Sequence, residues 1–386
     1  MEWAPWVTGT QCQLCSQSYS IDESWCSACD SPVIHQYEDA TLTDTWADAP
    51  DVFAQFRPLL PIADGLDNDR AVGNTPLCES EWLASELTVD RALIKDEGRN
   101  PTGHIADRDM VVLAAAIPSE TQSTLALASP GRSGIAAASA AVARGHTSQV
   151  FVPSRAPFGA KALINVHDGS MRVVPGRFPD AMGAFRDGHE SAEWIIADPI
   201  ESPLCHAGRK TVYFELIGQL GGQAPDVLVV PTGMGASIRA VCTAATEAIS
   251  VGLADTIPRL ILAQPAGCAP FVDPIMDGSP MSDWSNPDTI VGELEIPAPT
   301  AASATLQLLE QFDVEAVAVP DSATLEAAVQ TAQCDGLQVS VAGGVGLAGV
   351  TAVADIEPGD TVVVLNPGTG VLDADILRSH LMGQGI

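Results

Sequence analysis

The sequence predicts an α/β fold built on doubly wound, open sheets, and three observations carry that expectation. Short apolar runs of strand length alternate with amphipathic or alanine-rich stretches from about residue 110 onward. With 386 residues, 46% of them hydrophobic, the chain can bury a large core in two or three folding units. Glycine-rich turns join several strands to the helices that follow, as at Gly233 and Gly235.

The chain opens with Cys12-x2-Cys15, ten residues, then Cys26-x2-Cys29. Four thiolates at this spacing can close a tetrahedral zinc site with no open position for substrate, so residues 10–32 are expected to form a zinc ribbon held by structural zinc, with disulfides as the alternative. The acidic, threonine-rich stretch from Asp30 to Pro58, broken by Pro32 and Pro50, is expected to wrap the surface irregularly, and residues 33–72 form a linker and opening segment. Residues 73–386 then make a pair of domains, the smaller at roughly 100–190.

Within that pair, Met110–Ala116 is expected as helix, Ser123–Ala128 as strand, and Ile135–Arg144 as an alanine-rich helix stopped by Gly145. The alternation continues at Gln149–Val152, Lys161–His167, Met171–Val174 and Asp180–Phe185. A helix over Val212–Leu220 ends at Gly221 and Gly222, and a strand at Asp226–Val230 feeds a helix beginning near Ile238. Strands at Arg259–Gln264, Val314–Val319 and Asp360–Leu365 and a helix at Ser322–Gln333 complete the reading.

Charge narrows the function. The 49 acidic residues against 18 basic ones give a net charge of −31, which repels nucleic acid and anionic membranes. Lys95, Lys161 and Lys210 are the only lysines, and an acid-rich, lysine-poor balance suits a salt-filled cytoplasm, where screening relieves the self-repulsion. The start, Met1-Glu2-Trp3-Ala4-Pro5-Trp6, has no basic region followed by an apolar run, and no later stretch is long and apolar enough to span a bilayer; a cytoplasmic protein is expected.

Several stretches, in order, resemble the threonine synthases and related fold-type II pyridoxal phosphate (PLP) enzymes. Phe56–Ile62 is similar to a WRY-x-x-LLP segment, Gly73–Leu77 to GNTPL, and Lys95–Arg108 to KDEG-NPTGSFKDR. Gly208–Thr211 is similar to GQKT, Pro231–Ser237 to the PVGNGGN phosphate loop, Gln264–Pro270 to VQAEGCAP and Ile290–Pro297 to TIATGIRIP. The resemblance implies fold-type II architecture with two doubly wound sheets, and by family habit a homodimer. In the family the lysine after Ser-Phe carries PLP as a Schiff base; here that position is Ala106, whose methyl can neither form an imine nor move a proton. His104 stands in the serine position, Arg132 replaces the asparagine of STGN in Ser129–Gly134, and Pro367 in Asn366–Gly370 falls where a hydroxyl faces the pyridine nitrogen.

Carried onto this chain, the resemblance makes Arg132, Gly233, Met234, Gly235, Ala236 and Ser237 the cofactor-binding positions, with Thr102, Gly103, His104 and Ser129 lining the pocket. Arg132 has two readings, an anion-binding guanidinium or a salt bridge to a neighbouring carboxylate. Three functions stay open. One is a non-catalytic protein that binds an anionic small molecule or pairs with an active paralogue. Another is an active lyase on O-phosphohomoserine or a related amino acid, with PLP held non-covalently. The third is a different enzyme using His104 or Asp107 as acid or base, against the plainer readings of a structural histidine and an Asp107–Arg108 pair.

Overall fold

The computed structural model describes all residues except 2, 39, 43–48, 64–65, 67–70, 354 and 384–386; part of the expected 33–72 linker therefore lies outside the described residues. A small antiparallel sheet comes first, of β1 (Val7–Cys12), β2 (Ser18–Tyr19), β3 (Trp25–Cys26) and β4 (Ser31–Tyr37), in the order β2-β1-β4-β3. β4 falls inside the stretch read as irregular. Pro32 interrupts a helical period but is tolerated at the start of a strand, where its missing N–H costs little, and here it lies opposite Trp25. A short helix, α1 (Val52–Gln55), follows, capped by the Asp51 carboxylate.

The large sheet is assembled from both ends of the chain. It has the order β13-β12-β11-β14-β6-β5, and the antiparallel edge strand β5 (Leu77–Glu79) and β6 (Arg91–Asp96) flank α2 (Glu81–Leu87). The chain then leaves it through α3 (Ala106–Ala115) and builds the second, all-parallel sheet β10-β7-β8-β9. The strands are β7 (Thr124–Ala128), β8 (Thr147–Pro153), β9 (Ser170–Val174) and β10 (Ile195–Ile196), with α4 (Arg132–Ala143), α5 (Phe158–Val166) and α6 (Phe178–His189) between them. α7 (Pro203–Gln219) returns to the large sheet, which continues through β11 (Val227–Pro231), α8 (Ala236–Ser250), β12 (Arg259–Pro265), α9 (Val272–Asp277), α10 (Ala302–Leu309), β13 (Val314–Val319) and α11 (Asp321–Cys334). α12 (Val341–Thr351), β14 (Thr361–Asn366) and α13 (Ala374–Gly383) finish it.

Two elements depart from the sequence reading for clear reasons. α7 begins nine residues before Val212, so Gly208–Thr211 lies inside the helix: Ser202 caps it through Cys205 N–H and Pro203 takes the first position. Gly208 is needed there because a Cβ would collide with the Arg108 carbonyl where α7 crosses α3. α12, over a stretch given no element from sequence, carries four glycines; Ser340 caps it, and its glycines let it lie close on the sheet, where a Cβ on Gly346 would stand 2.9 Å from both Pro231 and Val364.

Because β14 pairs with β6, the turns that follow these strands meet at one end of the sheet. Ile105 N–H donates to the Pro367 carbonyl at 2.9 Å and Thr369 N–H to the Gly103 carbonyl at 2.8 Å. Motifs more than 260 residues apart are thereby fixed side by side. The small N-terminal sheet is tied to the body by Gln13 Nε2 donating to Thr243 Oγ1 at 2.9 Å, and by Lys210, which meets Tyr37 Oη at 3.2 Å and Glu247 at 2.7 Å.

Candidate active site

Ala106 is the first residue of α3 and is fully buried. None of the three lysines approaches it as a substitute. Lys95 Nζ is held by Glu215, the Thr75 carbonyl at 2.7 Å and Gln219 at 2.9 Å; Lys161 donates to the Ser154 carbonyl at 3.0 Å; Lys210 pairs with Glu247. No lysine lines either of the cavities described next.

A cleft of about 430 Å³ adjoins a smaller pocket of about 100 Å³. Both are lined by Pro130, Arg132 and Glu293, so the Arg132–Glu293 pair stands between them. Arg132, the first residue of α4, has every arm of its guanidinium engaged: Nε lies 2.8 Å from Glu293 Oε2, Nη2 2.7 Å from Asp373, and Nη1 donates to the Thr369 carbonyl at 2.8 Å. Of its two readings from sequence, the ion pair is the one realised. Burial opposes its charge, but Glu293 and Asp373 outweigh burial and raise its pKa.

Glu293 is less well served. Its approach to Arg132 lacks hydrogen-bond geometry, its carboxylate oxygens are buried, and burial pushes it up to about 7 against the pull of Arg132, with Asp373 adding to the rise. His104 Nε2 lies 3.6 Å from Glu293, too far for a hydrogen bond, while its Nδ1 accepts from Ala106 N–H at 3.3 Å. Burial, then Arg132 and Arg209, hold its pKa well below the ordinary value, so the imidazole is neutral.

The turn Gly233–Ser237 leading into α8 lines the smaller pocket. Gly235 takes the left-handed conformation at φ +96°, and no side chain caps the helix, leaving its first N–H groups directed at the cavity end. Ser237 Oγ accepts from Arg209 Nη1 at 3.2 Å, and Arg209 is held by Asp109, with its Nε 3.0 Å from each carboxylate oxygen. This arrangement can receive an anion through backbone N–H groups and the helix dipole.

The other residues expected in the pocket line neither cavity. Thr102 binds Asp107 through its N–H at 2.8 Å and its hydroxyl at 2.9 Å, while Arg108 reaches Glu97 and Glu215. Gly103 turns at φ +76° under Thr369, and Ser129 Oγ braces the following turn by accepting from the Gly131 and Gly134 N–H groups, both at 2.9 Å. Cys268 is a packed thiol, pushed up to about 12 by burial. Sequence reasoning missed Glu293 and Asp373 as site residues; nothing local marks them, since their partner Arg132 is distant in the chain.

In the N-terminal sheet the Sγ atoms of Cys12, Cys15, Cys26 and Cys29 all lie within 4.8 Å of one another. That donor set is compatible with four-coordinate zinc.

Residues 69–368 match the model of the family described as "Pyridoxal-phosphate dependent enzyme". The chain belongs to this family. Among its relatives, threonine synthase of Methanosarcina acetivorans is 28% identical over 369 residues, 93% of this chain and 90% of that protein. Threonine synthase of Mycobacterium tuberculosis (strain H37Rv) is 30% identical over 331 residues, 84% of this chain and 89% of that one. Among solved structures, maize serine racemase superposes with a TM-score of 0.69 at 18% identity, covering 90% of this chain and 100% of its own. A lysine-to-alanine mutant of O-ureido-L-serine synthase, bound to O-ureido-L-serine, gives 0.65 at 20% identity over 81% and 92%.

The family implies PLP. The α8 turn offers an anion cradle suited to its phosphate, while Ala106 offers no amine for a Schiff base at that position.

Proposed function

We propose that this chain is a threonine synthase-like protein with a degenerate PLP site, which binds a small phosphate-bearing anion at the start of α8 and does not turn it over. The observation that carries the reading is the buried Ala106 together with three lysines that are all engaged away from the cavities. Arg132 is spent on two carboxylates, so affinity rests on the N–H groups of the Gly233–Ser237 turn. A lysine-to-alanine mutant of O-ureido-L-serine synthase, which shares this fold, holds O-ureido-L-serine, and that supports ligand retention by a chain of this fold with a lysine replaced by alanine. His104 and Asp107 are poor acid–base candidates, the first because burial and the nearby arginines oppose its taking up a proton and the second because Thr102 engages its carboxylate.

Around this site, structural zinc on the four cysteines holds the N-terminal sheet, and the chain works in the cytoplasm as a homodimer or beside an active paralogue. Among the described residues, no helix is long and apolar enough to cross a membrane. The acidic excess fits a salt-rich setting.

The test is phosphate binding measured by calorimetry in high salt, alongside an assay for phosphate release from O-phosphohomoserine with added PLP. Saturable binding of inorganic phosphate that Ser237→Asp weakens tenfold or more, with no phosphate release, is expected, because a carboxylate in the first turn of α8 repels the anion. Turnover of O-phosphohomoserine would overturn the reading in favour of a lyase holding PLP non-covalently.

A further inference from the structure

We propose that Arg239, a buried arginine of α8, is the counter-charge of the metal site formed by Cys12, Cys15, Cys26 and Cys29. The inference rests on the reading of that site as structural zinc. It concerns a residue that lines neither the cleft nor the anion cradle.

Arg239 differs from the other buried arginines. Arg108 meets Glu97 and Glu215, Arg132 meets Glu293 and Asp373, and Arg209 meets Asp109. Arg239 is 2% exposed, and its side chain makes a single long hydrogen bond, from Nη1 to Thr305 Oγ1 at 3.4 Å. Among the described residues no carboxylate pairs with it. A buried charge without a partner is costly, so a counter-charge is called for.

The N-terminal sheet supplies one. Gln13, the residue after Cys12, donates from Nε2 to Thr243 Oγ1 at 2.9 Å, and Thr243 Oγ1 donates to the Arg239 carbonyl at 2.9 Å. Arg239 and Thr243 stand four residues apart on one face of α8, so the arginine is on the side of the helix where the first cysteine pair docks. Burial pushes the Arg239 pKa down to about 10, and the groups that pull it back are the thiols of Cys242 and Cys12. Cys242 is kept protonated by burial and carries no charge, which leaves Cys12.

Zinc binds thiolates, and four of them around one divalent ion carry an excess of negative charge. The two buried sulfurs receive neutral donors: Leu14 N–H reaches Cys12 Sγ at 3.4 Å, and Tyr19 Oη reaches Cys26 Sγ at 2.9 Å. Lys210, the cation that β4 touches through Tyr37, is already paired with Glu247. A buried guanidinium facing the site offsets its excess charge, and the site offsets the guanidinium in return.

The experiment measures metal binding by the full chain in high salt: zinc content by elemental analysis, competition for zinc with 4-(2-pyridylazo)resorcinol, and the charge-transfer spectrum of the cobalt(II)-loaded chain. One zinc per chain is expected. Arg239→Met puts an apolar side chain of similar length where a charge was buried, a change that folds tolerate, and should weaken zinc binding about tenfold or more. Arg239→Lys keeps the charge and should recover most of that loss. At saturating cobalt the sulfur-to-metal band of Arg239→Met should move to longer wavelength, because the sulfur electrons lose a stabilising positive charge. Zinc affinity and cobalt band unchanged in Arg239→Met would overturn the inference and leave the zinc reading intact. Equal losses in Arg239→Lys and Arg239→Met would assign the effect to packing and overturn it too, whereas a wild-type chain that binds no zinc would overturn both the inference and the zinc reading.

Discussion

Two of the buried arginine–carboxylate clusters among the described residues, those of Arg108 and Arg132, are built to different standards. Around Arg108, every charge is closed: its Nε lies 2.7 Å from Glu97 and Nη2 2.8 Å from the same carboxylate, Nη2 also reaches Glu215 at 3.0 Å, and Thr75 and Asn100 donate to Glu97 at 2.6 and 2.7 Å. Burial raises the Glu97 pKa, but these partners win and bring it down to about 2. Around Arg132, Glu293 has one side-on arginine and a distant histidine, burial wins, and its pKa rises to about 7. The first cluster is structural. The second borders both cavities and keeps unsatisfied oxygens, which is where a protein that binds something leaves its polar groups open.

The largest expected effect comes from breaking the closed cluster. Arg108→Met strands Glu97 without its bound counter-charge, leaves Glu215 with Lys95 alone, and should cost about 3–5 kcal/mol in denaturant unfolding. Arg132→Met should cost less than half as much at neutral pH, because Glu293 can take up a proton instead. Equal losses would erase the distinction between the clusters.

A subtler contrast appears in pH dependence. The folded-state pKa of Glu293 is raised from 4.5 to about 7, so its contribution is fully present below 4.5 and is lost as pH rises through 7. Glu97 runs the other way: its contribution is present above 4.5 and is lost as pH falls toward 2. Glu293→Gln should therefore remove a downward slope of at most about 1.4 kcal/mol per pH unit between those two pKa values. Unfolding curves for the two proteins at several pH values check this, and parallel curves would show that Glu293 does not titrate there.

Much of the fold was legible because strands such as β11 and β14 are uninterrupted apolar runs closed by glycine or proline, signals that survive without any tertiary context. α12 was left without an element, since four glycines in so short a stretch give little helix signal until the packing of Pro231 and Val364 against it is known. The α8 turn could be read as an anion cradle from sequence, because its chemistry is carried by consecutive backbone groups. The fate of Arg132 could not. Its partners Glu293 and Asp373 lie in segments that only the interleaving of the two chain ends brings to α4, and charge pairing across such distances leaves no local trace.

The central claim is that this family fold keeps an anion site without a covalent anchor. It is tested most directly by adding PLP to the full chain in high salt, reducing with borohydride, and locating any adduct by mass spectrometry. No stoichiometric phosphopyridoxyl group on Lys95, Lys161 or Lys210 is the predicted result. A stoichiometric adduct on any of them, with aldimine absorbance before reduction, would contradict it and identify a relocated catalytic lysine.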